Sequence, residues 1–114
     1  MNYNIILDDS FRREVKHLSK RYRSLKDDLR QFQEELLSNP YMGTDLGGGL
    51  RKVRLKISSK GKGKSGGARI ITFTLIVSLD EAEINLLYIY DKAERASISI
   101  GEIEELLRKN GLRD

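Results

Sequence analysis

Residues 46–79 carry eight cations and no acid: Arg51, Lys52, Arg54, Lys56, Lys60, Lys62, Lys64 and Arg69. The whole chain is +4, so the eight charges here leave −4 for the rest. A basic middle on a mildly acidic body is the footprint of a polyanion partner, most simply a nucleic acid. The charge is also ordered. Lys52, Arg54 and Lys56 alternate with Val53, Leu55 and Ile57, which puts three cations on one face of a strand. Neighbouring like charges repel unless something screens them. Arg69 opens the next apolar run with no acid near it in sequence. A phosphate suits such an arginine, because a guanidinium holds it through two parallel hydrogen bonds. Tyr88, Tyr90 and Lys92 share a face of a third run, where an aromatic ring can stack on a base. The plainer readings are solvated strand charges that protect an edge, an arginine in a salt bridge, and tyrosines that pack at the rim of a core.

Between these runs lies Gly61-Lys-Gly-Lys-Ser-Gly-Gly67. It is not a nucleotide-binding P-loop. That motif needs a glycine at position 58, where Ser58 stands, and a helix after the loop, where a strand-like run follows. A basic hairpin loop fits better. Its glycines let backbone N–H groups approach phosphates, and Lys62 and Lys64 add charge. The chain has no cysteine and one histidine, His17, so it holds neither a thiolate nucleophile nor a histidine metal cluster. The helical acids Asp27-Asp28, Glu34-Glu35 and Glu102/Glu104/Glu105 read as solvated faces. No metal or cofactor is expected.

The elements that must position these residues follow from periodicity. One domain over residues 1–114 is expected from the length. Tyr3 to Leu7 reads as a strand running into a cap at Asp8-Asp9-Ser10. Phe11, Val15, Leu18 and Tyr22 mark a helix over 10–20. Leu25, Leu29, Phe32 and Leu36 mark a second, capped at Ser24 with Asp27 and stopped by Asn39-Pro40. A loop with four glycines spans 43–49. Strands are expected over 50–57, 68–79 and 83–91. Ser99 and Glu102 form a capping box for a C-terminal helix ending at Asn110-Gly111. The order β-α-α-β-β-β-α predicts an α+β fold: helices on one face of a mainly antiparallel sheet, the basic row on the other. No apolar run is long enough for a membrane span and the N-terminus lacks a secretory pattern, so a cytoplasmic protein is expected.

Three segments carry a family resemblance: Gly47-Gly-Gly-Leu-Arg-Lys-Val-Arg-Leu, Gly61-Lys-Gly-Lys-Ser-Gly-Gly-Ala-Arg-Ile-Ile, and Leu87-Tyr-Ile-Tyr-Asp-Lys-Ala-Glu. Together they resemble the RelE/ParE toxin superfamily of type II toxin–antitoxin systems, closest to its HigB-like branch, over nearly the whole chain. The resemblance implies a microbial ribonuclease-like α+β domain. It implies a ribosome-dependent mRNA endonuclease held inactive by a cognate antitoxin, with operator DNA reached only through the toxin–antitoxin complex. Carried over by position, Arg69 would stabilise the phosphate and its transition state. Arg54 and Lys56 occupy the basic strand before the loop. Crowding among cations favours the neutral amine that a general base needs, which suits Lys56. Lys92 would be a phosphate ligand or proton donor, and Lys52, Lys60, Lys62, Lys64 and Tyr90 would bind RNA. Some members carry an arginine directly after the lysine matched by Lys92 and a tyrosine near the last helix; Ala93 and residues 97–99 stand there instead. A ParE-like inhibitor of DNA gyrase and a non-catalytic nucleic-acid-binding module are the alternatives. The antitoxin is expected to lay an acidic strand or helix over the basic row.

Overall fold

The computed structural model describes residues 1–61 and 66–114. The elements are β1 (Asn2–Leu7), α1 (Asp9–Ser19), α2 (Leu25–Ser38), β2 (Thr44–Gly47), β3 (Leu50–Leu55), a 3-10 turn (Ser58–Lys60), β4 (Ala68–Ile76), β5 (Glu81–Asp91) and α3 (Ile100–Lys109). They form an α+β domain around a five-stranded sheet of order β1-β5-β4-β3-β2. All neighbours are antiparallel except β1, which runs parallel to β5. That parallel pair needs the chain to cross over, and the α1–α2 hairpin begins the return.

The helical stripes read from the sequence form the core. Phe11, Leu18, Leu25, Leu29, Phe32 and Leu36 pack on Val53, Leu55, Ile57, Ile70, Ile84, Leu86 and Ile89. Burying each such side chain contributes roughly 1.5–3 kcal/mol, so the inward alternation of β3 firmly fixes which way Lys52, Arg54 and Lys56 point. The Ser99 capping box forms as expected, with Ser99 Oγ accepting from the Glu102 N–H. Ser24 makes no such cap; its hydroxyl instead donates to Asp28 Oδ2 at 2.7 Å.

Three features depart from expectation. The glycine-rich loop contains an edge strand, β2, which turns into β3 through Gly48 and Gly49 at φ +61° and +88°. Helices also cover both faces rather than one. Ile103 and Leu107 of α3 pack on Leu50, Ile71, Phe73 and Leu87, on the face opposite the hairpin, so α3 shares that face with the basic row. The third departure is a bulge. Ile71 pairs with Tyr88 and Thr72 with Leu86, which leaves Leu87 as an extra residue. Leu87 and Tyr88 therefore both turn toward α3. A bulge re-aims side chains in this way, and here it brings two tyrosines alongside the cations.

Candidate nucleic-acid interface

The register of the three central strands assembles the site. Arg54 on β3 is opposite Arg69 on β4, and Arg69 is opposite Tyr90 on β5. One step along, Lys52, Ile71 and Tyr88 repeat the pattern. Two transverse rows thus cross the sheet on the α3 side, cationic at one end and aromatic at the other. β2 pairs with β3 only as far as Lys52, so Arg54 and Lys56 stand exposed beyond it.

Arg69 is 7% exposed. One guanidinium nitrogen donates to its neighbour's carbonyl, Ala68 O, at 3.1 Å. Tyr90 is 4% exposed, and its hydroxyl is buried without a hydrogen-bond partner among the described residues. Burial pushes this phenol above its ordinary value, although Arg69 and Arg95 both pull it down. It is therefore a proton donor at neutral pH, and a buried donor without an acceptor carries a free-energy cost. The ring lies 6.4 Å from that of Tyr88, and Arg95 sits over it at 5.6 Å from the centroid.

Arg95 is the group that the residue pattern did not single out. Its guanidinium reaches Glu102 Oε1 and Oε2 at 2.9 and 2.8 Å and the Ser97 carbonyl at 3.0 Å. The Glu102 hydrogen bond holds its pKa above the ordinary value, against a smaller opposing effect of burial. The signal available in the sequence was position: Ala93 fills the place after Lys92, and an arginine follows two residues later. Lys92 is exposed and donates through Nζ to the Ala96 carbonyl at 2.7 Å.

Lys60 is placed differently from the other cations. Its Nζ lies 2.7 Å from Asp91 Oδ1, with 8% of its side chain exposed, so its charge is held inside and not presented on the row. Lys62 and Lys64 lie outside the described residues. Arg54, Arg69, Lys52 and Tyr90 are thus brought together, with Lys56 at the end of β3 and Lys92 just past β5.

A second cationic surface lies on the opposite side of the molecule. An apolar groove of about 510 Å³ runs between α1 and α2, floored by Leu7, Phe11, Val15 and Leu29 and rimmed by Arg12, Lys16, Lys20 and Lys26. It holds no aromatic–arginine row. No helix among the described residues is long and apolar enough to cross a membrane. The family model described as the RelE toxin of the RelE/RelB toxin–antitoxin system matches residues 6–111.

Proposed function

This chain belongs to the RelE toxin family, and from that premise we propose that it is a ribosome-dependent mRNA endonuclease of the HigB-like branch. The observation that carries the reading is the transverse row Arg54–Arg69–Tyr90, with a buried phenol hydroxyl that has no acceptor among the described residues. A phosphate oxygen supplies that acceptor, and two guanidiniums on adjacent strands supply the charge to hold it.

The reaction is attack of a ribose 2′-OH on the adjacent phosphorus. Lys56 takes the 2′ proton as the O2′–P bond forms. Arg69 and Arg54 neutralise charge on the pentacoordinate phosphorus, and the Tyr90 hydroxyl donates to a phosphate oxygen. As the P–O5′ bond breaks, Lys92 returns a proton to the leaving oxygen. The products are a 2′,3′-cyclic phosphate and a 5′-hydroxyl. Each proton transfer contributes about 10²–10⁴-fold, and charge stabilisation at the buried Arg69 adds a comparable factor. The ribosome supplies the orientation of the message, which is worth as much again.

The family implies an antitoxin partner. We propose that it lays an acidic strand or helix over the row. Arg54→Glu then loosens the complex. Unchanged affinity there, with loss on Lys16→Glu, moves the antitoxin to the α1–α2 groove. The function itself is tested by brief expression in bacteria beside Arg69→Ala, with message 5′ ends mapped during translation. New ends inside translated codons that vanish in the variant support the nuclease. Growth arrest without such ends points to gyrase, and neither effect leaves a binding module.

A further inference from the structure

Tyr90 is the neutral donor of the row, and no polar group among the described residues fixes the hydroxyl end of its ring. The ring is located by its neighbours instead. Tyr88 lies 6.4 Å away, tilted by 36°. The Arg95 guanidinium lies over the ring, 5.6 Å from its centroid, where the negative face of a phenol attracts a cation. Arg95 comes from the turn after β5, and α3 holds it there.

That hold is built of fixed parts. The Arg95 N–H donates to the Asp91 carbonyl at 3.1 Å, which places the residue just past the strand. Its Nε donates to the Ser97 carbonyl at 3.0 Å, and Nη2 reaches Glu102 Oε1 and Oε2 at 2.9 and 2.8 Å. A long side chain with many rotamers is thereby kept in one. Glu102 is itself fixed, because it closes the capping box of α3. Its N–H donates to Ser99 Oγ at 3.1 Å, and its Oε1 accepts from the Ser99 N–H at 3.3 Å. The hydrogen bond from Arg95, then that from the Ser99 backbone, hold its carboxyl below the ordinary value, so it stays ionised at neutral pH. The helix behind it seats on the sheet through Ile103 and Leu107.

Stability does not explain this pair. The Arg95 side chain is 34% exposed and that of Glu102 49%, and ion pairs open to water contribute little. The capping box also closes through Ser99 without any help from Arg95. What a fork on a carboxylate supplies is direction. We propose that Arg95 is a positioning residue for Tyr90: clamped to the first turn of α3 by Glu102, it holds the phenol ring at the angle that aims its hydroxyl at a phosphate bound by Arg69 and Arg54. This rests on reading the Arg54–Arg69–Tyr90 row as the nuclease site.

The test is a double-mutant cycle of Arg95→Met and Tyr90→Phe, with kcat and KM measured on programmed ribosomes and folding checked by circular dichroism. Phenylalanine keeps the ring and loses only the hydroxyl. Arg95→Met is expected to lower kcat about threefold to tenfold with KM within about twofold. In Tyr90→Phe protein the same change should cost less than about twofold more, because the group it positions is gone. Glu102→Gln keeps the capping box, which glutamine also closes, and should show a smaller kcat loss that likewise vanishes beside Tyr90→Phe. Losses that multiply in the double variant overturn the proposal, since Arg95 then acts independently of Tyr90. So does a rise in KM alone, the mark of a direct RNA contact, and so does an unchanged kcat in either single variant. A second measurement needs no RNA. In the free protein the flip rate of the Tyr90 ring, read by NMR from its ε protons, should rise about tenfold or more in Arg95→Met; an unchanged rate overturns the clamp. A wild type that cuts no message defeats the nuclease reading, while the ring-flip comparison still decides whether Arg95 holds Tyr90.

Discussion

The two faces of this molecule are both basic, yet they are built differently. On the hairpin face, Arg12, Lys16, Lys20 and Lys26 surround an apolar groove. Helical cations of this kind keep their stems on apolar surface and their heads in water. On the sheet face, strand register sets Arg54, Arg69 and Tyr90 side by side, with Arg69 and Tyr90 almost fully buried. Charge alone does not separate the faces. Fixed neighbours and a buried donor do, because catalysis needs groups already oriented toward the charge that develops.

The largest effect that should separate them is at Arg69. Arg69→Ala is expected to lower message cleavage about 10²–10³-fold, and Arg69→Lys to recover only part, since an ammonium cannot hold a phosphate through two parallel bonds. The double reversal Lys16→Glu/Lys20→Glu on the groove rim should leave cleavage within about twofold, as distant surface changes do. Rates measured on ribosome complexes, with circular dichroism to confirm folding, make the comparison. Equal losses on both faces would break it.

Salt dependence sharpens the same contrast. Removing a phosphate contact from the row, by Lys52→Ala, should reduce the slope of log affinity against log salt by about 0.7. Lys26→Ala in the groove should leave the slope alone. Titration of single-stranded RNA at several ionic strengths reads this directly.

A smaller effect tests the orphan hydroxyl. Tyr90→Phe removes a buried donor that has no acceptor among the described residues. The variant should therefore be more stable by about 1 kcal/mol, raising Tm by about 4 °C. Cleavage should fall about tenfold, the worth of one hydrogen bond to a charged group. A loss of both stability and cleavage would make Tyr90 a packing residue.

The sequence shows some of this and hides the rest for physical reasons. The core stripes of α1 and α2 and the inward Val53, Leu55 and Ile57 were legible, because periodicity reports burial directly. The strand β2 was not, since Thr-Asp-Leu-Gly has the composition of a turn and only pairing with β3 makes it a strand. The side taken by α3 was hidden too. Its apolar stripe says that it packs, and the bulge at Leu87 that builds its seat depends on pairing between two strands. Lys60 looked like any other cation in the basic stretch. Its partner, Asp91, lies 31 residues away in sequence, and no local pattern joins them. The row was readable as three separate pieces, but the fact that Arg54, Arg69 and Tyr90 form one line belongs to register.

The smallest effect concerns the hairpin side, where an acid is strained without serving the row. Asp8, at the N-cap of α1, makes no capping hydrogen bond, and its Oδ2 is buried without a partner among the described residues. Burial first, then the charges of Asp9 and Glu83, push its carboxyl from 3.8 to about 6. The sign follows from proton counts. Between those two values the folded protein binds more protons than the unfolded chain, so stability falls as pH rises through this window. Above it the folded state carries the cost of an ionised, poorly solvated carboxylate. Asp8→Asn keeps a good capping residue and removes that charge. Its Tm should exceed wild type by a few degrees at pH 7.5, and the gap should close as pH drops toward 4. Cleavage should not change, because Asp8 lies at the end of β1, the far edge of the sheet from the Arg54 strand. A stability gain that persists unchanged at low pH would assign the effect to capping rather than to charge. A change in cleavage would mean that the two faces are coupled, and that the hairpin does more than support the sheet.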